Sequence, residues 1–175
     1  ILKIKLGAPE GDLDRIAAVR AAAPDATLIA DANEGWKAEN LADHLGACAG
    51  AGFALVEQPV PAAADAVLAD RPREVAVCAD ESLHDRHGLP GLVGRYDAIN
   101  IKLDKAGGLT EALALAGEAQ RLGFSIMVGC MLGTSLAMAP AMLLAGRASF
   151  VDLDGPLLLA RDREGGLAYE GSIVH

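Results

Sequence analysis

Aromatic side chains are scarce: three Phe, two Tyr and one Trp make up 3% of the 175 residues. Ala, Leu and Val must therefore build the core, and small Ala side chains suit close helix–sheet packing. Basic residues are also in deficit, 15 Lys and Arg against 24 Asp and Glu, giving a formal net charge of −9. With a pI near 4.8, the balance argues against a nucleic-acid or anionic-membrane partner. No apolar run is long enough to span a bilayer, and no signal-peptide pattern is visible. Cysteine is limited to Cys48, Cys78 and Cys130, odd in number, far apart and each in an apolar context. A reduced, cytoplasmic protein is the expectation. The chain also lacks an initiating Met, and Ile1 stands inside what reads as a strand, so a processed or partial chain is expected. No Ser- or Pro-rich linker divides the sequence, which reads as one domain over residues 1–175.

What is present is alternation. Strands read near 2–6, 26–31, 53–57, 75–79, 97–102, 125–129 and 149–153, with helices near 12–22, 37–50, 62–70, 86–93, 109–122 and 134–145. Repeated strand–helix units imply parallel strands with right-handed crossovers. Side chains alternate across a strand. Lys3 and Lys5 therefore share a face opposite Leu2, Ile4 and Leu6; Asn100, Lys102 and Asp104 oppose Ile99, Ile101 and Leu103; and Asp152 and Asp154 oppose Val151 and Leu153. A barrel with a polar lumen produces this pattern, whereas a doubly wound sheet buries both faces under helices. The expected fold class is α/β, a (β/α)7β TIM-type barrel. Such a barrel takes about eight strands, so the first would precede Ile1.

Charge gathers at the ends of these apolar runs, in Ile4-Lys5, Ala30-Asp31, Val56-Glu57, Ala79-Asp80 and Ile101-Lys102. Asp31, Glu57 and Asp80 would repel one another strongly unless neutralised. A divalent cation resolves the repulsion, and oxygen-only donors favour Mg²⁺ or Mn²⁺ over zinc. Taken singly, each carboxylate could instead cap the helix that follows it. Lys5 and Lys102 flank the set. An amine beside a metal and a second lysine has a lowered pKa and can act as a base near neutrality. Lys3 is the natural neighbour of Lys5. Such lysines could also simply snorkel to solvent. Glu81, Asn33 and Trp36 read as supporting or loop residues. The four histidines show no spacing that joins them to the carboxylates, and Cys130 has no evident histidine partner that would make it a nucleophile.

Five segments together resemble the enolase superfamily, specifically its muconate-lactonising subgroup. They are Leu2-Lys3-Ile4-Lys5-Leu6-Gly7, Asp31-Ala32-Asn33, Val56-Glu57-Gln58-Pro59, Ala79-Asp80-Glu81-Ser82 and Asn100 to Gly108, in family order. The resemblance implies that Asp31, Glu57 and Asp80 ligate Mg²⁺ (or Mn²⁺), that Lys5 and Lys102 form the acid/base pair, and that Lys3 supports Lys5. Phe150 to Pro156 contains Asp152 and Asp154, which suit a substrate ammonium; an Asp-x-Asp at this place looks like the dipeptide epimerases. Gly129-Cys130-Met131 and Thr134-Ser135 resemble the seventh-strand loop, so Cys130 and Met131 join the implied substrate-binding residues.

The implied activity is metal-dependent epimerisation of a dipeptide, the α-proton leaving and returning through an enediolate by a two-lysine mechanism. A cycloisomerase, an o-succinylbenzoate synthase and an N-acylamino acid racemase would use the same site. The family also carries an N-terminal capping domain, which this sequence does not include. A non-catalytic fragment or a subunit needing a second polypeptide is therefore an alternative of another class, and the expected partners beyond a small dipeptide are copies of the chain or that N-terminal portion.

Overall fold

A computed structural model describes residues 1–175. The elements are β1 (Leu2–Lys5), α1 (Asp12–Ala22), β2 (Leu28–Asp31), α2 (Ala38–Gly50), β3 (Phe53–Glu57), β4 (Ala76–Ala79), α3 (Leu89–Leu92), β5 (Ala98–Ile101), α4 (Leu103–Ala106), α5 (Leu109–Arg121), β6 (Ser125–Val128), α6 (Ser135–Met142), β7 (Phe150–Val151), β8 (Tyr169–Glu170) and β9 (Ile173–Val174). Four 3₁₀ turns, Ala62–Asp70, Arg86–Gly88, Ala145–Arg147 and Gly155–Leu158, complete the set. In hydrogen-bonded order β1 to β7 follow one another as they do in the chain. No helix is long and apolar enough to cross a membrane.

The chain forms two compact units, Ile1–Ser82 with Leu92–Ala98, and Leu83–Gly91 with Ile99–His175. In the first, β1, β2, β3 and β4 pair in parallel. Strand β2 is buried at every position, as expected of a strand covered on both faces. Leu28, Val56, Val77, Leu45 and Leu68 fill its core with few aromatics. On α2, Leu41, Leu45 and Cys48 are buried at helical spacing, so one stripe faces the sheet. Burial pushes the Cys48 thiol up to about 12, with Asp12 adding to the effect. In the second unit β6 pairs in parallel with β7, and α5 buries Ala112, Leu115, Ala116 and Ala119. Small side chains on that stripe let the helix lie close to its neighbours.

Several boundaries differ from the sequence reading. Strand β7 stops at Val151, because Gly155-Pro156 opens a 3₁₀ turn and proline has no N–H for a ladder. Asp152 and Asp154 are therefore loop residues, although Asp152 N still donates to Val128 O at 2.8 Å. Strand β5 stops at Ile101, and Lys102 sits at the N-cap of the four-residue helix α4, which contains Asp104 and ends at Gly107 with φ 86°. The segment 62–70 is 3₁₀ rather than α-helical. The β8–β9 hairpin has no counterpart in the sequence reading, since two-residue strands carry no periodicity.

Candidate active site

In the first unit the parallel register places Lys5 beside Asp31, and Asp31 beside Glu57. Residues paired in this way share a face, and Lys3, two positions before Lys5, shares it too. Lys5 Nζ donates to Asp31 Oδ2 at 2.6 Å and to Asn33 Oδ1 at 2.8 Å. Lys3 Nζ lies 3.3 Å from the same Asp31 oxygen and 2.9 Å from Glu57 Oε2. Asp31 and Glu57 are 1% exposed and Asp80 2%. Lys5 remains 65% exposed at its side chain, against 18% for Lys3. Lys3 is thus the less exposed counter-ion and Lys5 the one that reaches outward.

Burial raises the pKa of Glu57; Asp31 and Asp80 push it further up, and Lys3 opposes them. Burial also raises the pKa of Glu81, and Asp80 adds to that. Glu57 therefore lies within electrostatic reach of both Asp31 and Asp80. Their oxygens suit a hard divalent cation. As the side chains stand, ammonium groups neutralise Asp31 and Glu57, and no three acidic, His or Cys side chains converge on a single point as ligands do. Asn33 is part of the cluster: its N–H donates to Asp31 Oδ1 at 3.0 Å and its Nδ2 to Glu81 Oε1 at 3.4 Å.

Local packing fixes these strand ends. After β1 the chain turns at Gly7, φ 86°, against Gly35 in the turn after β2. A Cβ on Gly35 would strike the Gly7 backbone, and one on Gly7 would strike the Ala32 carbonyl. Buried Asp12 then joins the two turns: it accepts from Gly7 N at 2.7 Å, Trp36 Nε1 at 2.8 Å and Arg15 Nη1 at 2.6 Å. Trp36 is buried and also packs on His44, ring centroids 4.8 Å apart. Sequence reasoning missed Asp12. An acidic residue opening a helix just after a strand-end glycine was the available signal.

In the second unit, Lys102, Asp152 and Asp154 lie near Cys130. Burial raises the Cys130 pKa, the Gly155 N–H lowers it, the two aspartates raise it and Lys102 lowers it. Gly155 packs against Met131 O and Cys130 Sγ, which ties the loop after β6 to the loop after β7. Met131 itself is exposed, as are Leu132, Leu157 and Leu158. At the start of α6 the Thr134 side chain makes no capping bond. Asp162 takes that role, accepting from Ser135 N at 2.9 Å and from Ser135 Oγ.

Residues 1–156 match the family described as enolase C-terminal domain-like, and the chain belongs to that family. It is 51% identical over 177 residues to the L-Ala-D/L-Glu epimerase of Escherichia coli K12, covering 100% of this chain and 54% of that protein. It is 48% identical over 169 residues to the N-acetyl-D-glutamate racemase of a Pseudoalteromonas species, covering 97% and 53%. Among solved structures it is similar to an enolase family member from Agrobacterium tumefaciens with homology to dipeptide epimerases, solved with bound sodium and L-Ala-L-Glu. There the TM-score is 0.97 at 60% identity, covering 99% of this chain and 53% of that one. The chain thus spans about half the length of the curated relatives it matches. Its α/β architecture is that of the enolase superfamily's TIM-type barrel enzymes.

Proposed function

We propose that this chain carries the acid/base centre of a Mg²⁺-dependent epimerase of dipeptides of the L-Ala-Glu kind. The observation that carries the reading is the convergence of Lys3 and Lys5 on Asp31 beside Glu57, in a chain whose relatives are epimerases and racemases.

Asp31, Glu57 and Asp80 would hold the ion, Mn²⁺ being the alternative to Mg²⁺. Bound there, it would polarise the substrate carboxylate and so acidify the neighbouring α C–H. Lys5 is the exposed amine of the cluster and is oriented by Asp31 and Asn33. It takes or returns the α-proton on one face of the substrate, and Lys102 does so on the other. Two bases are required because a single base would tend to restore the original configuration. Lys3 remains paired with Asp31 and Glu57 and keeps Lys5 in place. Asp152 and Asp154 receive the substrate ammonium through charge-assisted hydrogen bonds. Cys130, kept protonated by burial, lines the substrate site with Met131 and serves as no nucleophile. Three free cysteines suit a reducing cytoplasmic setting. The active assembly is expected to include a further segment closing the site, in this polypeptide or another, or a second copy of the chain.

The Pseudoalteromonas relative favours a second reading, racemisation of an N-acylated amino acid. Such a substrate has no ammonium for Asp152 and Asp154. Purified protein incubated with L-Ala-L-Glu, N-acetyl-D-glutamate, a succinylated amino acid or muconate separates the readings by NMR. Turnover of L-Ala-L-Glu that EDTA abolishes and Mg²⁺ restores is the expected result. Faster turnover of N-acetyl-D-glutamate would select the second reading, and turnover indifferent to EDTA would remove the metal.

A further inference from the structure

We infer that Gln58 is a positioning residue: its buried carboxamide fixes the backbone from Asp80 to Ser82 and thereby sets the Asp80 carboxylate. The role at the ion rests on the proposed reading of Asp80 as a ligand; the clamp itself does not.

Strand β4 ends at Ala79, so Asp80 lies beyond the strand's last residue. Gln58 takes over from the ladder. Its Oε1 accepts from Asp80 N at 2.9 Å and from Ser82 N at 3.1 Å. Two amides of a loop drawn to one oxygen leave the residue between them little freedom. Nε2 lies 2.8 Å from Ser82 Oγ, 2.9 Å from Tyr96 Oη and 3.0 Å from Val60 O. Tyr96 Oη donates in turn to Asp65 Oδ2 at 3.2 Å, and Arg95 Nη1 binds Asp65 Oδ1 at 2.8 Å. The carboxamide is therefore held from behind by a polar chain that reaches the surface at Arg95, 38% exposed.

Two features separate this from ordinary core filling. Gln58 is 0% exposed, and burying a carboxamide is costly unless its donors and acceptors are met, as they are here. Its φ is 33°, in the left-handed region, which for a side chain of this size costs on the order of 1–3 kcal/mol and persists where surroundings over-determine it. The surroundings do so: Gln58 N donates to Cys78 O at 2.8 Å and Gln58 O accepts from Glu34 N at 2.9 Å. The main chain is locked between strand β4 and the turn after β2 while the side chain turns towards Asp80.

The test is Gln58→Asn in the full protein. Asn tolerates the left-handed backbone but is one methylene too short to reach the two amides. Asp97→Asn is the control, because the Asp97 carboxylate accepts from Val77 N within β4 and pairs with Arg71, and it makes no hydrogen bond to Gln58. Without metal, Gln58→Asn should speed hydrogen exchange at Asp80 and Ser82 by about tenfold or more, and Asp97→Asn should not. Mg²⁺ affinity by calorimetry should fall by about 10- to 100-fold, the usual cost of losing a partner that orients a ligand. Unchanged exchange at both amides overturns the clamp. Faster exchange with unchanged Mg²⁺ affinity overturns the positioning role, provided Asp80→Asn does weaken binding. If Asp80→Asn leaves Mg²⁺ affinity intact, the ligand assignment fails and the positioning role falls with it.

Discussion

The strand ends of the first unit and the loops of the second are built on different terms. At Lys3, Lys5, Asp31, Asn33 and Glu57, side chains are bound to one another at hydrogen-bond or ion-pair distances, and the carboxylates are almost fully buried. After β6 and β7, by contrast, the chain presents Met131, Leu132, Leu157 and Leu158 to solvent. It is tied down by local contacts such as Gly155 against Met131 and Cys130 and Asp162 on Ser135. Chemistry needs pre-organised groups on rigid elements, whereas recognition tolerates adaptable loops. On the proposed function, Lys5 and the metal-holding carboxylates fall in the rigid part, and the ammonium-binding Asp152 and Asp154 in the looser one.

The sharpest way to break the comparison is Gly35→Ala. Its Cβ would meet the Gly7 backbone, which cannot yield without moving the ends of β1 and β2. A loss of at least about 4 kcal/mol is expected, a value reserved for mutations with a specific steric or buried-polar cause. Denaturant unfolding measures it, and a loss below about 1 kcal/mol would mean that these turns are as pliant as those of the second unit.

Trp36→Phe is milder. It removes one of the three donors to buried Asp12 and should cost about 1–3 kcal/mol, the penalty for leaving a buried acceptor short of a partner. The same unfolding experiment applies.

The smallest effect falls in the second unit. Hydrogen bonds from Ser135, side chain and then backbone, hold the Asp162 carboxyl below its usual range. Its stabilising contribution is therefore complete above the ordinary carboxylate pKa and is lost as pH falls through the depressed one. Asp162→Ala should lower the melting temperature slightly at neutral pH and leave the most acidic end of a pH–stability profile unchanged.

The sequence disclosed the strand ends well, because each apolar run closes on a charged residue: Lys5, Asp31 and Glu57 are the last residues of β1, β2 and β3. Burial makes such charges conspicuous. Face-sharing by Lys3 and Lys5 also followed from two-residue alternation, and both meet Asp31. Parity failed at Lys102 and Asp154, where a helix cap and a 3₁₀ turn replace the strand. Asp12, Gln58 and the Gly7–Gly35 contact stayed hidden for another reason. Their partners are distant in sequence or are backbone atoms, and neither leaves a local pattern. The four-residue helix α4 and the β8–β9 hairpin are too short to show a period.

The two-base claim is tested most directly by Lys102→Ala in D₂O with Mg²⁺ and each epimer of L-Ala-Glu, followed by proton NMR. Epimerisation should fall by about 1,000-fold, within the usual range for a general acid or base. Deuterium should still enter the α-position of one epimer, driven by Lys5. Exchange into both epimers, or into neither while substrate and metal remain bound, would contradict the account.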